Sequence, residues 1–125
     1  MRQWLTVHAL LGAIGLRIER EHARADLGYW IGVPYWRRGY CTEAARAIVR
    51  YGFTEQGLRR IYAHCFTTNP ASGRVLQKLG MTHEGMRREH TLKDGVFLSS
   101  DGYGMLRAEF DRIQDPRVEG ESEKA

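Results

Sequence analysis

The fold class is decided by residues 27–53, which read LGYWIGVPYWRRGYCTEAARAIVRYGF. The first part is rich in aromatic and β-branched residues, and Pro34 prevents an interior strand from continuing, so we predict a strand over Asp26–Val33. From Thr42 the apolar residues recur with a helical period, with Ala45 and Phe53 on the same face. The segment therefore predicts a strand, a short loop and an amphipathic helix over Thr42–Gln56.

The loop between this strand and this helix has the composition of an anion site. Unpaired N–H groups and the positive end of the helix dipole meet at a helix N-terminus, and Gly39 lets the backbone approach a phosphate closely. Two arginines add full positive charge. We predict a diphosphate site formed by Arg37, Arg38, Gly39, Tyr40, Cys41 and Thr42. From these residues alone, an ordinary loop with solvent-facing arginines is the alternative.

The remaining elements complete a mixed α/β arrangement. Asn69 is a good helix cap, Pro70 suits the first helical position and Gly80 suits the exit, so a helix is predicted over Pro70–Leu79. Asp94-Gly95 favours a tight hairpin turn. Alternating or apolar runs predict strands over Trp4–His8, Leu10–Ile18, Arg60–Thr68, Met81–Leu92 and Val96–Leu106.

Composition excludes several classes of protein. A chain of 125 residues is one domain's worth, which we place at 1–112, with a flexible acidic tail over 113–125. No apolar run suits a membrane span or a signal peptide, so we expect a cytoplasmic protein with no membrane partner. Cys41 and Cys65 lack the spacing of a zinc site, and we expect no metal. Neither GxxxxGK[ST] nor GxGxxG occurs, and the dispersed arginines argue against a nucleic-acid partner.

Three blocks together resemble one known family. Residues 27–53, then RRIYAHCFTTNPASGRVLQKLGM at 59–81, then EGMRREH at 84–90, closely resemble the RimJ/RimL-like branch of the GNAT acetyltransferase superfamily, over roughly Trp4 to Phe110. The resemblance implies a GNAT-like α/β fold with a mixed, mostly antiparallel sheet flanked by helices. Family members usually begin with a further strand and two helices, for which we find no counterpart before Trp4.

The resemblance also implies how acetyl-CoA is held as co-substrate. The loop at 37–42 would bind the pyrophosphate through its amides, and the main chain at Trp30 and Ile31 would pair with the pantetheine arm and polarise the thioester carbonyl. Asn69 resembles the family residue that binds the cofactor's amide region. Trp36 and Cys41 depart from the family's loop signature, which we expect to alter loop packing more than affinity.

Catalytic roles follow less directly from the resemblance. Ser72 occupies the place of a proposed acid for the departing thiolate, and Tyr103 is an alternative donor. For the base, Glu89 is the leading candidate and Asp26 and Glu84 are others, while deprotonation through water stays open. The family often has Asp where this chain has Ser99.

These expectations amount to one leading function. We predict an N-acetyltransferase in which a protein N-terminal amine or a small-molecule amine attacks the thioester of acetyl-CoA directly. A non-catalytic CoA-binding or dimerisation module derived from such an enzyme is the alternative. A homodimer is also possible.

Overall fold

The computed structural model describes residues 2–9, 12–31 and 40–114, and side chains within 14–28 and 42–113. The predicted order of strands and helices is confirmed over these residues. The strands are β1 Arg2–Ala9, β2 Gly12–Glu19, β3 Arg24–Ile31, β4 Arg60–Phe66, β5 Thr82–Lys93 and β6 Val96–Leu106. The helices are α1 Tyr40–Thr54, α2 Pro70–Lys78 and α3 Arg107–Gln114, and a 3₁₀ turn spans Arg20–His22.

The six strands form a single sheet in the order β1-β2-β3-β4-β6-β5. Every neighbouring pair is antiparallel except β3 and β4, which run parallel because α1 connects them as a crossover. The predicted mixed, mostly antiparallel sheet with flanking helices is thus confirmed. The parallel pair lies at the centre of the sheet.

The local start and stop signals act as expected. The Asn69 side chain accepts a hydrogen bond from the Ser72 N–H at 3.3 Å and caps α2, and Gly80 leaves that helix with φ at +91°. Asp94 and Gly95 both have positive φ, as a tight hairpin turn between twisted strands requires.

One face of the sheet carries the hydrophobic core. On β4 the residues Ile61, Ala63 and Cys65 are buried, while the alternate residues on the other face are half-buried. The α1 helix packs so closely that a Cβ at Gly52 would lie 2.8 Å from Leu16 Cδ1. All buried strand residues of this face belong to one apolar cluster with the helices.

The sequence did not predict α3. Phe110 of α3 stacks on Phe53 of α1 with ring centroids 4.9 Å apart, and Ile113 packs beside Gly80. The predicted tail boundary at residue 113 therefore falls inside this helix. Residues 115–125 lie outside the described part of the chain.

Candidate functional site

The parallel strands β3 and β4 separate soon after they meet. They pair only at Arg24 with Arg60, Ala25 with Ile61 and Asp26 with Tyr62. Beyond this point β3 continues to Ile31 along β2, and β4 continues to Phe66 along β6. Within the described residues, no ladder joins the facing edges of 27–31 and 63–66. We call this gap the wedge; its main-chain edges suit an extended ligand that carries amides.

The predicted diphosphate loop borders the wedge in sequence. Residues 37–39 lie outside the described part of the chain, whereas Tyr40 and Cys41 begin α1 and Thr42 is buried in its first turn. The main chain of Trp30 and Ile31 forms the end of β3, on the wedge. The cofactor roles assigned to Arg37, Arg38 and Gly39, and to the main chain at 30–31, stay predictions.

A polar cavity lies beside the wedge, on the face of the sheet opposite the helices. Its volume is about 450 Å³. Gly102 on β6 and Gly85 on β5 occupy cross-strand positions in its floor, so the floor has no side chain at these two positions. The lining residues are Arg24, Arg60, Tyr62, His64, Glu84, Gly85, Met86, Arg87, Gly102 and Tyr103.

Ion pairs compensate most of the charge on this face. Arg60 binds Glu84 through two nitrogens, at 2.8 and 2.6 Å, and a Cβ at Gly104 would collide with both side chains. Glu19 is buried, and its carboxylate accepts bonds from Arg24 Nε at 2.6 Å and from the Tyr62 hydroxyl at 3.3 Å. These charge-assisted hydrogen bonds hold the paired side chains in fixed positions on this face.

The two alternative base candidates on this face differ in basicity. The hydrogen bonds from Arg60 lower the pKa of Glu84, which makes it a poorer proton acceptor than an ordinary carboxylate. Burial raises the pKa of Asp26, although Arg17, whose Nη2 lies 3.5 Å from Oδ2, opposes that rise. Asp26 is thus the more basic of the two.

His64 belongs to this site and was not singled out from the sequence. It is half-buried on β4, and its ring meets the Tyr62 ring edge-on with centroids 5.9 Å apart. Burial and then Arg87 lower the pKa of His64, so its imidazole is more readily neutral than that of a free histidine. The signal in the sequence was the alternation of Arg60, Tyr62 and His64 along one strand face.

The leading base candidate, Glu89, lies elsewhere. It is exposed on β5 with φ at +46°, within the register shift that lies between Arg87 and Thr91, and its N–H donates to Ser99 Oγ at 2.9 Å. Glu89 is not among the residues that line the cavity. The bulge breaks the strand alternation on which a prediction of its direction depends.

The two acid candidates lie on the helix side of the sheet. Ser72 is buried in the first turn of α2, which follows the end of β4 at the wide end of the wedge. Tyr103 is buried, packs against the His83 ring and pairs its hydroxyl with Gln77 Nε2 at 3.3 Å. These contacts hold Tyr103 in place, and Asn69 lies exposed beside Ser72.

The described residues also bear on metal binding and on membrane crossing. No cluster of three or more His, Cys, Asp or Glu side chains is arranged to hold a metal ion there. None of the described helices is both long enough and apolar enough to cross a bilayer. Cys65 is a free, buried thiol.

Comparison with known proteins identifies the family. Residues 3–82 match the acetyltransferase (GNAT) domain. This chain belongs to that family. It is 37% identical over 99 residues to the uncharacterized N-acetyltransferase YoaA of Bacillus subtilis, covering 78% of this chain and 56% of the relative. It is 28% identical to the putative ribosomal N-acetyltransferase YdaF of Bacillus subtilis, covering 82% and 57%.

Solved structures agree with this membership. A GNAT-family acetyltransferase from Bacillus anthracis superposes with a TM-score of 0.74 at 31% identity, covering 79% of this chain and 60% of the other. The chain thus spans a little over half the length of the curated relatives it matches. GNAT acetyltransferases use acetyl-CoA as co-substrate.

Proposed function

We propose that this chain binds acetyl-CoA in the wedge and transfers its acetyl group to a primary amine. The observation that carries the proposal is the early separation of β3 and β4 after three residue pairs. Separation leaves two strand edges free to bind the amides of an extended arm. His64, which lines the polar cavity, is on β4 just beyond the last pair, Asp26 and Tyr62.

The residues around the wedge suit the chemical parts of acetyl-CoA. The amides in the first turn of a helix, together with its positive dipole end, favour an anion, and the start of α1 at Tyr40 supports binding of the diphosphate by the loop at 37–42. We propose that main-chain groups at the end of β3 pair with the pantetheine amides. An N–H from Trp30 or Ile31 that donates to the thioester oxygen would stabilise the developing oxyanion by about 2–4 kcal/mol.

The remaining groups divide into an acid and a base. We propose that Ser72, at the end of the wedge nearest α2, protonates the departing thiolate, and that Asn69 contributes to cofactor binding as well as capping the helix. Glu89 remains a sequence-based candidate for the base, but its exposed position outside the cavity gives it no structural support.

The acceptor is an amine of a protein N-terminus or of a small molecule. The matched sequence blocks favour the RimJ/RimL-like branch, and the relative named as a putative ribosomal N-acetyltransferase is consistent with it. We also propose, from the sequence, a cytoplasmic location and a homodimer.

Thermal unfolding with and without acetyl-CoA tests the proposal. Binding to the folded state alone adds RT ln(1 + [L]/Kd), about 2.7 kcal/mol at a hundredfold excess over Kd, so the melting temperature should rise. Acetyl-pantetheine, which lacks the diphosphate, is the matched ligand and should give a smaller shift. A folded sample that shows no shift at millimolar acetyl-CoA contradicts the proposal.

Turnover is measured separately. Release of free CoA thiol during incubation with a panel of primary amines and N-terminal peptides is expected for the enzyme. Binding of acetyl-CoA without thiol release would identify a non-catalytic CoA-binding module instead.

A further inference from the structure

We propose that His64 is the general base of the reaction and accepts the proton of the acceptor amine. This inference rests on the proposed acetyl transfer. It replaces the carboxylates considered from the sequence with a residue that the fold places at the wedge.

The register of the sheet fixes the position of His64. The last residues that join β3 to β4 are Asp26 and Tyr62. Because side chains alternate along a strand, His64 is the next residue of β4 on the same face as Tyr62. It is therefore the first side chain of that face beyond the point where the wedge opens. A thioester held between the two strands would lie beside it.

The space around the imidazole admits an acceptor. Tyr62 packs against one side of the ring and orients it. The cross-strand neighbour on β6 is Gly102, whose partner on β5 is Gly85, and both belong to the cavity. Neither has a side chain to cover the ring. An amine bound in this cavity would therefore have access to the imidazole, which lies where the wedge opens.

The other candidate bases are either paired with arginines or lie outside the cavity. Glu84 is held by two hydrogen bonds from Arg60. Asp26 pairs with Arg17 and lies within the closed part of the two strands. Glu89 is exposed and is not part of the cavity lining. Among the carboxylates and histidines that the structure describes, His64 combines access to the cavity with a position at the wedge.

The charges around His64 favour its neutral form. Arg87 and His90 on β5, together with Arg60 on its own strand, oppose protonation, and Asp26 on β3 favours it. Burial acts in the same direction as the arginines and is the largest influence on the pKa of His64, which is lowered. A neutral imidazole near pH 7 can accept a proton, as a general base requires.

The proton balance of the step is simple. A neutral amine nitrogen attacks the acetyl carbon and the C–N bond forms, leaving one proton too many on nitrogen. His64 accepts that proton and later returns it to solvent. The C–S bond breaks with its electron pair on sulfur, and the thiolate takes a proton from the Ser72 hydroxyl, which recovers one from water. The products are an amide and free CoA thiol.

The first test is His64→Gln, which keeps a polar side chain but cannot act as a base. We expect kcat to fall about 10²-fold or more, with acetyl-CoA affinity within twofold of the wild type. Added imidazole should restore part of the activity of His64→Ala, a rescue that a purely structural role would not give. His22→Gln, at an exposed histidine of the 3₁₀ turn, is the matched control and should leave activity unchanged.

The second test uses the acidic limb of the pH profile of kcat/KM. Arg87→Gln removes a cation that opposes protonation of His64, so the limb should move to higher pH. Asp26→Asn removes an anion that favours protonation, so the limb should move to lower pH. Opposite shifts from the two variants would identify His64 as the titrating group. A limb that neither variant moves would overturn the inference.

The two proposals fail differently. A wild-type chain that binds acetyl-CoA but releases no thiol with any amine overturns the role of His64 and leaves cofactor binding intact. Wild-type activity retained by His64→Gln overturns the role of His64 and leaves acetyl transfer intact. A wild-type chain that binds no acetyl-CoA overturns both.

Discussion

Gly102 lies directly beside His64, on the neighbouring strand, and a Cβ at Gly102 would lie 3.6 Å from His64 Cδ2 and 3.8 Å from Nε2. These are ordinary van der Waals distances, so one methyl group fits without displacing the ring. A larger side chain would extend across the cavity floor. The size of the side chain at position 102 therefore determines how much of the cavity beside His64 is open.

Gly102→Val should reduce acetyl transfer by restricting the acceptor. We expect kcat/KM for the amine to fall at least about tenfold, since misplacing a reactant is costly, while acetyl-CoA affinity is unchanged. Gly102→Ala, in which only the tolerated Cβ is added, is the matched control and should stay within about threefold of the wild type. Steady-state kinetics with varied amine would contradict the account if the two variants behaved alike.

Glu84→Gln should destabilise the protein in a pH-dependent manner. Both partners of the Arg60 pair are about one third exposed, so we expect a loss of about 0.3–1 kcal/mol at pH 7. Pairing lowers the pKa of Glu84 from its ordinary 4.5, so its stabilisation is present above that value and is lost as pH falls through the lowered pKa.

Urea unfolding at several pH values measures this difference. The gap between the wild type and Glu84→Gln should close in acid. Glu55→Gln, at an exposed carboxylate just after α1, is the control and should show little effect at any pH. A gap that persists unchanged below the lowered pKa would show that the ion pair is not its source.

Substitutions at Asn69 separate its capping role from its proposed contact with acetyl-CoA. Asn69→Ala removes the oxygen that accepts the Ser72 N–H and should cost about 1 kcal/mol of unfolding free energy. Asn69→Ser keeps a capping oxygen and should lower the unfolding free energy by only about 0.3 kcal/mol. Both variants should bind acetyl-CoA more weakly in calorimetry. Wild-type affinity in Asn69→Ser would limit this residue to capping.

Gly52→Ala should destabilise the protein although alanine is the better helix former. A Cβ at Gly52 would lie 2.8 Å from Leu16 Cδ1 and 2.9 Å from Ile61 Cδ1, both in the buried core. Overpacking of this kind lowers the free energy of unfolding by about 1–3 kcal/mol, whereas the higher helix propensity of alanine raises it by about 1 kcal/mol. We therefore expect a net loss of about 1 kcal/mol in the free energy of unfolding.

Chemical denaturation measures that loss. Arg50→Ala, at an exposed position of the same helix, should change stability by less than about 0.5 kcal/mol. A stabilised Gly52→Ala variant would mean that α1 can move away from the sheet.

The sequence predicted those features that depend on near neighbours in the chain. Periodicity located the strands and the first two helices, and the Asn69 cap and the Asp94-Gly95 turn marked their ends. The helix α3 was missed because its apolar residues, Phe110 and Ile113, are too few for a periodic signal. Its position depends on a distant contact with Phe53.

The candidate site was less predictable because it depends on register across the sheet. Three of its features depend on residues far apart in the chain. They are the length of the β3–β4 pairing, the ion pair of Arg60 with Glu84, and the two glycines in the cavity floor beside His64. The bulge at Glu89 is a further case, since alternation fails there without a local signal. These pairings join residues that are far apart in the chain, so no local pattern in the sequence predicts them.

Amide hydrogen exchange with and without acetyl-CoA tests the central claim most directly, because it reports on the wedge itself. We predict slower exchange on binding at residues 27–31 of β3, at 63–66 of β4 and in the first turn of α1, with little change in the β5–β6 hairpin. Binding of acetyl-CoA that protects other regions and leaves both edges of the wedge unchanged would contradict it.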